Sequence, residues 1–352
     1  MPLTLPASLP RLTLAQAPLT CEIDAVNEYG EQHKVSIPAE RALTVYVDKR
    51  ELVTLMTLGA HPELLVLGFL RNQRLLKSVH EIESITVDWD VGAAAVKTRH
   101  GIEDIEEKTS RRVVTTGCGQ GSVFGGLMDE VDQIALPPAA GITQSQLYSL
   151  VNTIRLKETT YKSAGSVHAC ALFDASLPEP EMLLFVEDVG RHNAMDTIAG
   201  WMWMKDVSPT LPTSGGSLPP EGAAAPAARQ SRFRGPDLQE AGAAGQDGVP
   251  TLVASPTDLG LEGLVFYTTG RMTSEMVIKS AQMGVPVVVS RSGITQMGHQ
   301  VAQTVGLCAI GRATNKRFVC YSRAQRLTLQ PGLVTKTDVT PDTARQRVSS
   351  GA

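Results

Sequence analysis

The chain has 352 residues, a net charge of −4 and a pI near 6.0; 42% of its residues are hydrophobic, 19% charged and 5% aromatic. That composition supplies a sizeable core and excludes a wholly disordered chain. It also excludes a general nucleic-acid binder, which carries a strong basic excess. No apolar run reaches the ~18 residues a membrane-spanning helix needs.

Residues 1–20 lack a basic start and contain several prolines, so they read as a flexible tail rather than a secretory signal. Residues 21–140 read as a smaller α+β domain. Its first signal is the β-like alternation Ala42-Leu-Thr-Val-Tyr-Val-Asp48. An apolar-periodic helix follows over 61–70, with Pro62 suited to the first turn. Strand-like runs come next at 82–89, 93–98 and 112–116, the last leading into glycine.

Residues 141–328 read as a larger α/β domain. Thr143 followed by Gln146 is a capping-box pattern opening a helix to about Tyr161. Strands are expected at 167–174 and 182–188 across a Pro-rich turn, then a helix over 192–204. A strand at 261–267, a helix over 273–283, an apolar strand at 285–290 and a helix over 295–305 follow in turn. Strands at 307–310 and 318–322 close the domain. Such alternation implies α/β layers around a mainly parallel sheet. Inside it, 206–257 holds eight Pro, seven Gly and nine Ala in 52 residues and reads as a disordered insertion. Residues 329–352 are polar and read as a second flexible tail.

Five cysteines, at 21, 118, 170, 308 and 320, are odd in number and scattered. They form neither a disulfide framework nor the Cys-x-x-Cys of a zinc ribbon, so no structural metal and a reducing, cytoplasmic setting are expected. Cys170, Cys308 and Cys320 fall in strand-like runs and read as packing residues. Cys118 is different. In Thr115-Thr-Gly-Cys-Gly-Gln-Gly-Ser122 it has glycine on both sides. A thiol so thinly covered can leave its own surface and enter another site. Arg111 and Arg112 could lower its pKa. The plainer alternative is a tight turn with a filler cysteine.

A second pattern recurs where strands run into helices. Leu184-Phe-Val-Glu-Asp-Val-Gly-Arg-His-Asn193 and Val265-Phe-Tyr-Thr-Thr-Gly-Arg-Met272 each place Gly-Arg after a strand, giving Arg191 beside His192 and Gly270 beside Arg271. Arg291, before Gly293, is a looser third case. Ligands of open α/β sheets bind beyond the carboxyl ends of strands, and arginine suits phosphate oxygens. Three such junctions favour a phosphorylated ligand over solvated surface arginines. The loop Gly311-Arg-Ala-Thr-Asn-Lys-Arg-Phe318 adds Arg312, Lys316 and Arg317, with Ala313, Thr314 and Asn315 between them; it suits a diphosphate or an ordinary hairpin. His168 and His192 are each either structural residues or partners of Cys118, and spacing does not decide between these.

Together these motifs resemble the formate dehydrogenase accessory sulfurtransferases, the FdhD family, over 40–327 outside the insertion. The resemblance is carried by Leu52-Val-Thr-Leu-Met, the block 62–70, Thr116-Gly-Cys-Gly, Ala164-Gly-Ser-Val-His-Ala, Glu187-Asp-Val-Gly-Arg-His-Asn193, Gly270-Arg271 with Ser274-Glu-Met-Val-Ile-Lys-Ser280, and Gln325-Arg-Leu327, all in order. It implies a cytidine-deaminase-like mixed sheet with flanking helices and no zinc, plus a smaller N-terminal domain. It implies a sulfurtransferase that moves persulfide sulfur on Cys118 from a cysteine desulfurase to the molybdenum bis(molybdopterin guanine dinucleotide) cofactor of formate dehydrogenase. The cofactor would be bound through residues 311–318 and the junction residues. A homodimer is implied as well, with no nucleic-acid or membrane partner. The family often carries Cys-x-x-Cys in the cysteine loop; here the second position is Gly121, leaving one nucleophile. The competing readings are a cofactor-binding chaperone without sulfur chemistry and a cysteine-nucleophile hydrolase.

Overall fold

Two sheets and one shared helix organise the chain. The computed structural model describes residues 9–102, 105, 113–114, 121–122, 131–157, 160–205 and 260–333. The 206–257 insertion and Cys118 lie outside the described residues.

The N-terminal part runs β1 (Arg11–Leu12), β2 (Thr20–Val26), β3 (Gln32–Pro38), β4 (Arg41–Val47), β5 (Arg50–Thr57), helix α1 (Pro62–Asn72), β6 (Ile82–Asp88) and β7 (Ala93–Thr98). Five of these strands form a sheet in the order β1-β6-β7-β4-β5, while β2 and β3 make a separate hairpin. Arg11 and Leu12 pair in parallel with Ser84 and Ile85, and the Ala15 N–H donates to Glu63. Within 1–20, expected to be a loose tail, the described residues therefore contribute an edge strand at Arg11–Leu12, recruited by unpaired donors and acceptors of β6.

β8 (Val113–Val114) pairs with β9 (Gly121–Ser122), on either side of the segment holding Cys118. β10 (Ile142–Thr143) leads into α2 (Gln144–Lys157), followed by α3 (Thr160–Ala164). The helix expected to reach Tyr161 is thus divided. The Glu187 carboxylate accepts the N–H groups of Thr160 and Tyr161 and caps a new helical start.

The second sheet contains β11 (His168–Asp174), β12 (Glu181–Asp188), β13 (Leu264–Thr268), β14 (Val287–Ser290), β15 (Cys308–Thr314) and β16 (Arg317–Ser322), in the order β12-β11-β13-β14-β15-β16. Helices α4 (Arg191–Met204), α5 (Ser274–Gln282) and α6 (Gln296–Thr304) cover one face, through residues such as Met195, Val277 and Val301. On the other face Leu147, Leu150 and Ile154 of α2 pack against Ala171, Val265 and Val289. The result is the mixed α/β layer structure the resemblance implies.

The sheet is not mainly parallel. β13, β14 and β15 are parallel neighbours, but β11 is antiparallel to both β12 and β13, and β15 to β16. Short connections force this: only helical crossovers return a strand in parallel, and the β11–β12 and β15–β16 turns carry none. β17 (Leu327–Thr328) pairs with β10. Arg326, just before it, donates to the carbonyls of Pro137 and Ala140, which gives the Gln325-Arg-Leu327 block a structural role.

Helix α4 joins the two halves. Met202 packs in the core of the second sheet and Trp203 in that of the first. The join depends on two glycines. A methyl group on Gly68 of α1 would lie 1.6 Å from the Asp196 carbonyl oxygen, and one on Gly200 of α4 would lie 2.0 Å from that of Leu64. Neither backbone atom can move away without parting the helices. Gly68→Ala and Gly200→Ala are each expected to lower the unfolding free energy by about 1–3 kcal/mol through overpacking. Gly260→Ala, with open space around it, should stay within about 0.5 kcal/mol. Urea unfolding of the three variants measures this.

Candidate functional site

Strand direction brings the three arginine junctions to one edge. β12, β13, β14 and β15 all point the same way, because β11 is antiparallel to its two neighbours and the others are parallel. Their carboxyl ends therefore share an edge with the amino end of β11, where His168 pairs with Asp188. Arg191, Arg271, Arg291 and the 311–318 hairpin all lie along it.

Backbone hydrogen bonds fix the junctions to one another. The Arg291 N–H donates to the Thr268 carbonyl, Met272 to Gly293, Thr295 to Met272 and Arg312 to Ser292. Ser290 Oγ donates to the Gly270 carbonyl, and Thr268 Oγ1 accepts from the Gly270 N–H. Gly270 leaves room for Arg191: a Cβ there would fall 2.8 Å from Cδ of Arg191, whose stem crosses it and would have to shift. The first junction is anchored from below. Buried Asp188 accepts from Thr57 Oγ1, the Leu58 and Gly190 N–H groups and Asn193 Nδ2, tying β5 to the start of α4. Burial pushes the Asp188 carboxyl up, against the pull of these four donors.

Arg191 is the electrostatic centre. It is only 8% exposed, its Nε has no hydrogen-bond partner, and it makes no ion pair among the described residues. Its Nε therefore lies buried with no acceptor, and Glu275, the carboxylate whose charge it feels, is already engaged by Lys279. Half-buried His168 has its pKa lowered by burial and then by the cations Arg191 and Arg271. His192 is lowered to about 3 by burial and by Lys279. Both imidazoles are therefore neutral at pH 7, and the net fixed charge at this edge is positive.

A polar string continues below. His192 Nδ1 lies 3.7 Å from Glu275 Oε1, Glu275 lies 3.4 Å from Lys279, and Lys279 lies 2.9 Å from Asp196, which also accepts from Asn72. Lys279 and Asp196 are fully buried. Burial pulls the Lys279 pKa down, but Asp196 and Glu275 outweigh it and hold the amine charged.

Above the edge, Tyr161, Val167, His168, Ala169, Thr269 and Arg291 line a cleft of about 250 Å³. A wider concavity of about 530 Å³ is lined by Thr314, Asn315, Lys316 and Arg317. Gly311 lets this hairpin leave the sheet: a Cβ would meet the Tyr321 ring at 2.7 Å and the Ser292 carbonyl at 2.8 Å. Arg312 and Asn315 both adopt left-handed backbone, with φ of 52° and 51°. For arginine that is an uncommon conformation.

Of the residues singled out from sequence, His168, Arg191, Gly270, Arg271, Arg291, Gly311, Arg312, Thr314, Asn315, Lys316 and Arg317 gather at this edge. His192 and Ala313 turn inward, to Glu275 and to the second-sheet core. Half-buried Phe318 packs against Tyr148, with ring centroids 6.2 Å apart. Cys118 lies outside the described residues. Cys170 is buried, donates to Thr268, and has its thiol pushed up to about 12 by burial, which makes it inert. Sequence reasoning missed Thr268, Thr269, Ser290 and the Glu275–Lys279–Asp196 string. The i, i+4 spacing of Glu275 and Lys279 on a helix was the available signal for the last.

The FdhD/NarQ family model matches residues 38–213 and 253–328. Sulfur carrier protein FdhD of Bacillus subtilis (strain 168) is 26% identical over 309 residues, 85% of this chain and 94% of its own length. The protein of the same name from Wolinella succinogenes is 22% identical over 301 residues, 86% and 85% of the two chains. A crystal structure from Desulfotalea psychrophila, titled as a candidate formate dehydrogenase accessory protein, shares the fold with a TM-score of 0.58 at 18% identity, covering 88% of this chain and all of that one.

The depressed His192 value gives a pH dependence. As pH falls below 6.5 the unfolded chain takes up a proton that folded His192 refuses, so its contribution to stability is full above pH 6.5 and is lost towards pH 3. Between pH 7 and 5 this amounts to about 2 kcal/mol. The unfolding free energies of wild type and His192→Gln from urea titrations should converge by that amount over the interval.

Proposed function

The chain belongs to the FdhD/NarQ family, and on that footing we propose that it is a sulfur carrier serving formate dehydrogenase. Cys118 is the carrier. Its thiolate attacks the outer sulfur of a cysteine desulfurase persulfide, giving Cys118–S–SH and returning the desulfurase thiolate. Cys118 then delivers that sulfur to the molybdenum of a bis(molybdopterin guanine dinucleotide) cofactor, which is substrate here rather than a resident group: the S–S bond breaks, Cys118 leaves as the thiolate, and a two-electron oxidation of the reduced metal converts the transferred sulfur to sulfide. The cofactor's diphosphates lie along the arginine edge.

The observation that carries the reading is buried Arg191, whose Nε has no hydrogen-bond partner and which makes no ion pair among the described residues, at the shared strand edge. A buried guanidinium without a carboxylate is costly unless an anion arrives, and a phosphate oxygen satisfies both its charge and its N–H groups. Neutral His168 can donate to or accept from the same ligand without adding repulsion. Exposed Arg271, Arg312, Lys316 and Arg317 extend the positive surface along the same edge. No helix among the described residues is long and apolar enough to cross a membrane. Gly121, where a second loop cysteine often stands, favours one alternative: a cofactor chaperone that moves no sulfur.

Two measurements test this. Incubation with a desulfurase and cysteine should add about 32 Da, one sulfur, to the peptide holding Cys118, and Cys118→Ala should abolish both the adduct and activation of the dehydrogenase. Activation that survives Cys118→Ala selects the chaperone. For the ligand site, Arg191→Met should weaken guanosine diphosphate binding by about 1–3 kcal/mol, roughly 5- to 150-fold. The same variant should keep or raise the thermal midpoint, because it removes an unpaired buried charge. A loss of stability with unchanged binding would make Arg191 a structural residue only.

A further inference from the structure

Cys308 and Cys320 are drawn together at the root of the basic hairpin. They lie on adjacent antiparallel strands, β15 and β16, where the register shifts between Ala309 and Ile310. Their sulfurs are 3.9 Å apart, with Cys308 fully buried and Cys320 half-buried. β16 is the last strand of its sheet, so Cys320 stands at an edge that no further strand covers among the described residues. We propose that this pair is a second thiol site, which closes to an intramolecular disulfide on meeting a low-molecular-weight disulfide and so clamps β15 to β16 beneath Arg312–Phe318.

The neighbouring Cys308 thiol supports the charge on Cys320, whose pKa falls to about 7 chiefly through that hydrogen bond, against the opposing effect of burial. Cys320 is therefore the attacking thiolate. Its sulfur bonds to one sulfur of the small disulfide, whose S–S bond breaks and releases one small thiolate. Cys308 begins as the poorer nucleophile, pushed up first by the Cys320 sulfur and then by burial. Once Cys320 is capped as a mixed disulfide its negative charge is gone, and that restraint on Cys308 is removed. The released thiolate takes the Cys308 proton. The Cys308 sulfur then attacks Cys320, the mixed disulfide breaks, and a second small thiolate leaves. Two protein thiols are oxidised and one small disulfide is reduced to two thiols. Starting from 3.9 Å, the sulfurs must approach to the ~2.05 Å of a disulfide bond, and the register shift at Ala309–Ile310 supplies the local irregularity for it. The register shifts again between Gly311 and Thr314, so the bond would cross-link the irregular base of the hairpin.

The test uses the full chain and oxidised glutathione. Trypsin cuts after Arg312, Lys316 and Arg317 and so separates the two cysteines. The expected product is a linked peptide pair about 2 Da lighter than its reduced parts, containing Cys308 and Cys320. In Cys308→Ser, glutathione should remain on Cys320, adding about 305 Da, because nothing displaces it. Cys320→Ser should leave Cys308 unmodified. Recovery of Cys320 as the free thiol overturns the proposal. So does a lasting glutathione adduct on Cys320 in the wild-type chain, or a link from Cys320 to Cys21 or Cys118.

Discussion

The fully buried pair between Lys279 and Asp196 holds the architecture in register. Asp196 lies on α4, Lys279 on α5, and Asn72 of α1 donates to the same carboxylate, so one charge cluster joins three helices from both halves of the chain. Transferring two ions from water into such an interior costs several kcal/mol each, and attraction offsets this only when the geometry is good and the remaining donors are met. Here Lys279 reaches both Asp196 oxygens and Glu275. Removing either partner strands the other, so the pair specifies the packing more than it adds to stability. The glycine crossing of α1 and α4 sits directly beside it, because the Asp196 carbonyl is the atom that Gly68 must clear.

This cluster also explains the state of the edge above it. Lys279 is one of the charges that keep His192 neutral, and Glu275, between them, is held ionised first by Lys279 and only last by Arg191. Arg191 is left without an ion pair of its own among the described residues. A protein optimised for stability alone would place a partner there or an apolar side chain. Desolvated charge held in advance is what an anion site needs, since the ligand then meets donors that require no reorganisation.

Much of this was legible in the chain. The apolar strands 168–174 and 287–290, the capped helices and the Gly-Arg junctions follow from local rules of period, cap and turn. What was not legible depended on distant contacts. The β4–β5 turn uses Asp48 and Lys49, both with positive φ, instead of the usual glycine or asparagine. Thr98, far along the chain, holds it by donating from both its N–H and its hydroxyl to Asp48. The β2–β3 hairpin has few buried positions, so no hydrophobic alternation announces it. Lys279 reads as a solvated helix residue, and only the arrival of Asp196 makes its burial tolerable. Strand direction is a property of the connections, and the mixed sheet followed from turns too short to carry a helix. His192 and Ala313 show the same limit within the site: adjacency in a motif places a residue at the edge but does not say which way its side chain turns.

The overall charge of −4 and the positive edge are not in conflict. At physiological ionic strength the field of an exposed charge fades over roughly 8 Å, so an approaching ligand responds to its immediate surroundings and not to the whole chain. Arg271, Arg312, Lys316 and Arg317 are exposed and act at that range, concentrating anions over the edge in a salt-dependent way. Arg191 acts differently. Its buried guanidinium is weakly screened, so its attraction persists in salt but operates only at contact. For the proposed anionic ligand, exposed cations would set the rate of encounter and the buried one the strength of the hold, a division that needs both kinds of cation on a single strand edge.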